Sequence, residues 1–268
     1  VPGYAFANVT LTSHRLTVMP LRTSAMRALG AYANVFAIES FIDELARERG
    51  EDTLAFRRRH LEDPRALAVL DAAVSRSAWW SARAAEPEGR GHGLAWARYK
   101  NTGAWCAVLA RVEVTDEVRV LDLDLAVDVG MVVDADGVIN QIEGGALQSL
   151  SWTLKEQVTF DADGVTSTGW DSYPVLRFSE VPRLRVHLID RPEQPPLGAG
   201  EESFQVLQVI GITFFLLDQR RRGRRQRYRS LLLRLLGRLV GHVDQAGLLL
   251  GADADREEHA HAELGALL

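Results

Sequence analysis

The architecture of this chain follows first from residues 94–127, which read LAWARYKNTGAWCAVLARVEVTDEVRVLDLDLAV. Three apolar and β-branched runs, at 94–99, 105–114 and 118–127, are separated by short polar connections, and this pattern predicts three successive strands. The period then changes, and residues 138–154 are predicted to form a helix. Because runs of strands and runs of helices follow one another without regular alternation, the sequence predicts an α+β fold.

Helical periodicity dominates the residues before these strands. Apolar residues at three- and four-residue spacing predict a helix over 34–48, and Gly50 is a suitable residue to end it. Two shorter helices are predicted at 56–61 and 65–80, the second beginning just after a proline. Further upstream, residues 7–12 contain β-branched residues and are predicted to form a strand. The apolar stripe of the first helix consists of Val35, Ile38, Phe41, Ile42 and Leu45.

Turn-forming residues organise the segment after the predicted helix at 138–154. The tetrapeptide at 161–164, Asp-Ala-Asp-Gly, predicts a hairpin turn. A further strand is predicted at 185–189, and a loop rich in proline and glycine follows at 191–200. The pair Gly144-Gly145 lies inside the predicted helix and suggests close approach by another backbone.

Composition excludes several classes of protein. Of the 268 residues, 47% are hydrophobic and 25% are charged, which is the ordinary globular balance and excludes a wholly disordered or collagen-like chain. The net charge of −5 is untypical of a polyanion-binding protein. The single cysteine, Cys106, excludes an intrachain disulfide and a four-cysteine zinc or iron–sulfur site, and is predicted to be a small core residue. Of the 31 basic residues, 29 are arginine, which indicates GC-rich coding DNA.

Three ordered segments, 26–46, 140–152 and 170–201, together resemble the molybdopterin-binding large subunits of the xanthine dehydrogenase/aldehyde oxidase family. They are most similar to the branch of isoquinoline 1-oxidoreductase, and residues 97–101 also fit. The resemblance implies that residues 1–201 are part of the α+β molybdopterin-binding domain of a molybdenum hydroxylase. Relative to that family the chain begins late, without further loops that cradle the cofactor, so we expect a fragment.

The resemblance also implies an activity. Enzymes of this family hydroxylate an aldehyde or an N-heteroaromatic carbon at a molybdenum centre, with water as the oxygen source. The metal is held by the pterin dithiolene rather than by protein side chains. The expected cofactor is molybdenum–molybdopterin in its cytosine dinucleotide form. The expected partner is a separate subunit that carries 2Fe–2S clusters, since one cysteine cannot hold them.

Four site residues are carried over from the resemblance. Glu201 matches the glutamate that removes a proton from the attacking oxygen, a role that suits a buried carboxylate. Gln141 matches a glutamine whose side chain reaches the cofactor at the metal centre. Arg27 and Gly30 match a loop whose backbone amides approach the cofactor at a helix start, where such amides are natural anion donors. Without their motifs, each of these residues would be read as an ordinary surface, capping or packing residue.

The sequence departs from the family at two places. Leu29 stands where several relatives have an aromatic residue that stacks on a ring substrate, which argues against a purine-type substrate. The resemblance ends at Glu201, so residues 202–268 are expected to be a divergent helical or disordered tail. A non-catalytic remnant or interaction module, which keeps the core of the fold without cofactor, is the alternative function. The residues show no signal-peptide pattern, and the sequence leaves cytoplasm and periplasm both open.

The tail itself has several interpretations. GC-rich DNA translated in a wrong frame gives long stretches rich in Arg, Leu, Ala and Gly, so a frameshift or rearranged gene end is our first expectation. The alternative is an element that contacts a membrane surface or an anionic partner, because apolar residues 206–217 precede seven arginines within 220–229. Specific nucleic-acid binding is not expected, since Tyr228 is the one aromatic residue among these arginines.

Overall fold

A computed structural model describes residues 3–12, Leu21 and 27–200 of the chain. They form helices and strands in both segregated and mixed order, which confirms the predicted α+β class. The elements, in chain order, are α1 (Ala31–Glu48), α2 (Thr53–Arg59), α3 (Pro64–Arg76), β1 (Arg90–Arg98), β2 (Trp105–Val114), β3 (Val118–Asp128), α4 (Ala135–Leu154), β4 (Phe160–Asp161), β5 (Gly164–Val165) and β6 (Arg183–Leu188), with short 3₁₀ helices at Trp80–Ala85, Tyr99–Asn101 and Phe178–Glu180.

The main sheet has the strand order β1-β2-β3-β6. The first three strands pair antiparallel, as their short connections predict, with a register that runs from Arg90 opposite Glu113 in β1 and β2. β6 pairs parallel with β3. A parallel neighbour needs a long crossover connection, and α4 lies within that crossover. The small hairpin β4–β5 forms around the turn predicted at 161–164, although each of its strands has two residues.

Helices cover both faces of the sheet. Alternate residues of β2 point to opposite faces, so its apolar run is buried on both sides. One face packs against α4, and its core includes Cys106, Val108, Ala110, Ile142, Ala146 and Leu150. The other face packs against the α1–α3 side, and its core includes Trp105, Ala107, Leu109, Ile42, Val69 and Leu70. The prediction of Cys106 as a core residue is therefore confirmed.

Capping carboxylates define two of the helix starts. The Asp52 side chain accepts hydrogen bonds from the backbone N–H groups of Leu54 and Ala55, so α2 begins at Thr53 rather than at the predicted residue 56. Asp63 caps α3 in the same way, immediately before Pro64. α3 ends at Arg76, which is four residues earlier than predicted, and the two tryptophans that follow are buried outside it.

The buried stripe of α1 differs from the prediction. Ile42 is buried as expected, but Glu39 and Asp43 are also buried, and several predicted apolar residues are only partly covered. The fully buried Arg57 of α2 forms ion pairs with both carboxylates. Tyr4 donates a hydrogen bond to Glu39 at 2.7 Å and so joins residues 3–6 to this group. Burial raises the pKa of the Glu39 carboxyl, although the Arg57 charge opposes the shift.

A row of carboxylates on β3 is paired with arginines of β6. Asp122 and Asp124 are buried, and their partners across the parallel register are Arg183 and Arg185. The Nε atom of Arg183 donates to Asp122 at 2.8 Å, and Arg185 donates to both carboxylates. Burial raises the pKa of the Asp122 carboxyl, but hydrogen bonds from these two arginines outweigh it, and the net pKa lies below the ordinary value. The carboxylates therefore remain charged inside the fold.

Two expectations are wrong or fall elsewhere. The strand predicted at residues 7–12 does not form, and these residues are irregular. The tail predicted at 202–268 lies outside the described residues, and so does Glu201. No helix in the described ranges combines the length and the apolar character that a membrane crossing requires.

Candidate functional site

The three sequence segments singled out above meet beside α4. The Nη2 atom of Arg27 donates a hydrogen bond to the carbonyl oxygen of Gly200 at 2.8 Å. The Nε2 atom of Gln141 donates to the same carbonyl at 3.0 Å. Arg27 also reaches α4, because its Nη1 atom lies 3.5 Å from Oε1 of Gln148. Residues far apart in the chain therefore converge within one small region.

α4 presents this region along one face. Its N-terminus is capped by Asp134, whose side chain accepts from the N–H of Gly137 at 3.1 Å. Gln141 and Gln148 are seven residues apart, so they lie on the same face about 10 Å apart along the axis. Gly144 lies between them and is exposed, and a Cβ added there would meet no described atom within 4 Å. The backbone approach expected at Gly144 is therefore absent among the described residues, and the helix offers a bare strip between two glutamines.

The turn at residues 27–30 is held against the far end of α4. Ala28 is fully buried, and the ring of Tyr32 packs edge-on against Trp152 with centroids 5.7 Å apart. Ala28 and Leu29 have φ angles of 67° and 52°, which few side chains adopt, so the turn has a fixed and costly backbone shape. Gly30 then leads directly into α1. The Leu29 side chain is 45% exposed beside this turn.

The loop that ends at Gly200 is anchored along the end of β3. The N–H of Leu197 donates to the carbonyl of Val129 at 2.8 Å, and the N–H of Met131 donates to the carbonyl of Gln194 at 3.2 Å. Gly130 has a φ of 74°, and a Cβ there would lie 2.1 Å from the carbonyl oxygen of Pro195. The absence of a side chain at this position lets the loop lie directly on the strand end.

A buried ion pair fixes the same loop from below. Asp128, the last residue of β3, is fully buried and accepts hydrogen bonds from Arg65 of α3 at 2.9 Å and from Arg191 of the loop at 2.6 Å. Burial raises the pKa of the Asp128 carboxyl, but hydrogen bonds from both arginines outweigh that effect and hold the pKa below its ordinary value. Nothing in the spacing of these residues predicted this contact, because the partners are 63 residues away.

The outcome for the predicted site residues is mixed. Arg27 and Gln141 come together as expected, but they meet on a backbone carbonyl. Gly30 lies at the start of α1, two residues beyond the buried Ala28. Gln148 was not predicted, although its position seven residues after Gln141 on an exposed helix face could have signalled it. Within the described ranges, no three His, Cys, Asp or Glu side chains are grouped as metal ligands.

Comparison with known proteins identifies this arrangement. A family model described as the molybdopterin cofactor-binding domain matches residues 21–182. The chain belongs to this family. The matched range contains Arg27, Gly30, Gln141 and Gln148, and it ends before the loop that carries Gly200. The resemblance inferred from the residues is thereby confirmed.

Two curated relatives agree with membership of the molybdopterin-binding family. A nicotinate dehydrogenase subunit of Pseudomonas putida is 38% identical over 218 residues, which cover 76% of this chain and 18% of that protein. The beta subunit of isoquinoline 1-oxidoreductase from Brevundimonas diminuta is 35% identical over 188 residues, which cover 69% of this chain and 23% of that protein. The chain thus spans about a fifth of the length of these relatives.

A solved structure supports the fold of this molybdopterin-binding chain. Quinoline 2-oxidoreductase from Pseudomonas putida 86 aligns with a TM-score of 0.61 over 70% of this chain and 49% of that one. The sequence identity in this alignment is 14%, so the comparison establishes the fold alone.

The residues beside α4 fit a molybdopterin group. Such a group needs hydrogen-bond donors and acceptors for its polar atoms and a helix or loop backbone that it can approach closely. Gln141 and Gln148 offer carboxamides, and the bare strip at Gly144 leaves room that a side chain would fill. The Arg27 guanidinium adds positive charge at the same place, which suits an anionic group. This donor set is compatible with a cofactor that brings its own metal ligands.

Proposed function

We propose that this chain is part of the large subunit of a molybdenum hydroxylase that oxidises an aldehyde or an N-heteroaromatic carbon, with water as the oxygen donor. The observation that carries the proposal is the convergence of Arg27, Gln141 and Gly200 beside the bare strip of α4 in a chain of the molybdopterin-binding family. The names of the two curated relatives favour an N-heteroaromatic substrate.

The proposed cofactor is molybdenum–molybdopterin in its cytosine dinucleotide form. When bound, this group supplies two-electron oxidation at the substrate carbon. Gln141 and Gln148 would hold its polar edge, and the turn around Arg27 and Gly30 would approach it at the start of α1. The N-terminus of α1 favours negative charge through its helix dipole. The rigid backbone at Ala28 supports this role, since a fixed turn presents its N–H groups without reorganisation.

Glu201 is the proposed general base. It follows directly after Gly200, whose carbonyl is held by two side chains beside the bare strip of α4. A carboxylate that is shielded from water has a raised pKa and becomes a better proton acceptor near neutral pH. In this role it accepts the proton of the water-derived oxygen and leaves that oxygen able to attack the substrate carbon.

The proposed partner is an iron–sulfur subunit. Two electrons leave the substrate in each turnover and need an acceptor, but Cys106 is the chain's one cysteine and is buried in the core. Clusters that need four cysteine ligands must therefore be carried by another polypeptide. Both curated relatives are named as subunits, which is consistent with an assembly of several chains.

Metal content and isotope transfer test the proposal. The chain is produced together with an iron–sulfur subunit in a host that makes the cofactor, purified, and analysed for molybdenum by mass spectrometry. We expect a stoichiometric content and ¹⁸O from labelled water in the hydroxylated product. No molybdenum under these conditions would instead support the non-catalytic alternative.

A single substitution tests the role of Glu201 in the molybdenum-containing protein. Glu201→Gln should abolish turnover and leave both the thermal unfolding temperature and the molybdenum content unchanged, because it removes the base without removing volume. Glu193→Gln is the matched control, since Glu193 is an exposed carboxylate of the same loop and should keep full activity. Unchanged turnover in Glu201→Gln would refute the assignment.

A further inference from the structure

The Gly200 carbonyl oxygen receives hydrogen bonds from two distant parts of the chain. Arg27 precedes it by 173 residues and Gln141 by 59 residues. A carbonyl oxygen has two lone pairs and accommodates both donors, and the bond from the guanidinium is strengthened by its charge. We call these three groups the Gly200 anchor.

The Gly200 anchor exceeds what is needed to attach the loop to the sheet. Backbone hydrogen bonds already join the loop to the end of β3 as far as Leu197. Gly200 lies three residues beyond that point, where side chains take over from backbone pairing. The two donors therefore fix a single peptide group at the tip of the loop.

Both donors of the Gly200 anchor come from rigid supports. Gln141 lies in the second turn of the capped helix α4. Arg27 directly precedes the fully buried Ala28, in a turn that packs through Tyr32 against Trp152. A carbonyl held between two such supports has little freedom to rotate.

We propose that Arg27 and Gln141 are positioning residues that fix the peptide group between Gly200 and Glu201 and thereby restrict the backbone from which the Glu201 carboxylate acts. The inference rests on the proposed function of Glu201 as the base. Because a peptide group is planar, fixing its carbonyl oxygen also fixes the plane that contains the next backbone nitrogen. The Arg27 side chain thus has a role separate from the backbone contact expected at residues 27–30.

The first test measures hydrogen–deuterium exchange in the full chain and needs no cofactor. We expect the amides of residues 197–201 to exchange at least about fivefold faster in Arg27→Ala and in Gln141→Ala, with the amides of β2 unchanged. Arg27→Lys should restore part of the protection, since lysine donates as a point charge without the planar fork. Arg58→Ala, which removes an exposed arginine elsewhere, is the control.

The second test measures steady-state kinetics in the assembled enzyme. Arg27→Ala should lower kcat by about 10- to 100-fold with KM and molybdenum content within twofold of the parent, because a misplaced group slows chemistry more than binding. In a Glu201→Gln background, Arg27→Ala should cause no further loss, since its effect acts through the carboxylate. A merely structural role for Arg27 would lower stability and metal content in both backgrounds.

Two results would overturn the inference. Unchanged exchange at residues 197–201 in both alanine variants would show that the Gly200 anchor does not fix the loop tip. A loss of molybdenum in Arg27→Ala with unchanged exchange would make Arg27 a direct cofactor contact. If the parent protein binds no molybdenum at all, the proposed function fails, and the exchange measurement still decides whether Arg27 and Gln141 fix this peptide group.

Discussion

Replacement of Gly130 by alanine tests the contact that seats the loop at 191–200 on the sheet. The position has a φ of 74°, and the left-handed conformation costs a residue with a Cβ about 1–2 kcal/mol. The new Cβ would also lie 2.1 Å from the carbonyl oxygen of Pro195, so the loop backbone must move. Overpacking of this kind costs roughly 1–3 kcal/mol. Together the two effects predict a loss of about 3 kcal/mol in the free energy of unfolding, or roughly 6–12 °C in Tm.

Gly50 provides the matched control for the Gly130→Ala substitution. It has a φ of 66°, and a Cβ built there meets nothing within 4 Å, so Gly50→Ala carries the conformational cost alone, about 1 kcal/mol. Urea denaturation and differential scanning calorimetry of both variants give the two losses. A Gly130→Ala variant that is no less stable than Gly50→Ala would refute the reasoning from the Pro195 contact.

Two further predictions concern buried charges. Arg57→Leu removes the counterion of two buried carboxylates and should lower the free energy of unfolding in urea by about 3–5 kcal/mol, whereas Arg58→Ala removes an exposed ion pair and should cost less than about 1 kcal/mol; equal losses would show that the buried group is not paired as described. The pKa of Asp128 is lowered in the folded state, so its stabilisation is present above the unfolded pKa of about 4 and is lost as the pH falls through the folded value. Asp128→Asn should therefore be less stable at pH 7 and show a shallower loss of stability below about pH 4, and an acid limb identical to that of the parent or of Asp171→Asn would contradict this.

The strands illustrate what local pattern predicts well. The boundaries predicted for residues 105–114 and 118–127 agree with β2 and β3 within one residue, because uninterrupted apolar runs between short polar turns have few alternative structures. The hairpin turn at 161–164 was found for the same reason. Helix starts were less accurate, since the capping residue Asp52 lies outside the apolar periodicity that marks α2.

The buried face of α1 shows where pattern fails. Glu39 and Asp43 would ordinarily be placed in solvent, and their burial depends on Arg57 from a different helix. No local rule reveals such a partner, because the cost of burying a charge is offset by contacts that the fold creates.

The candidate site was predictable only through its motifs. Arg27 and Gln141 were singled out by resemblance, and the structure confirms that they lie together. Their shared hydrogen-bond acceptor could not have been inferred, since it depends on the path of a loop that passes over Gly130. Gln148 was missed because a glutamine on an exposed helix face is usually only a surface residue.

The arginines of β6 determine where this domain can be divided. A fragment that stops at residue 182, the end of the matched family model, would retain β3 with Asp122 and Asp124 but lose Arg183 and Arg185. Both carboxylates would then remain buried without counterions, or they would draw water into the sheet. The smallest unit that folds by itself therefore extends beyond the matched range, through β6 and its loop, and expression fragments should include both.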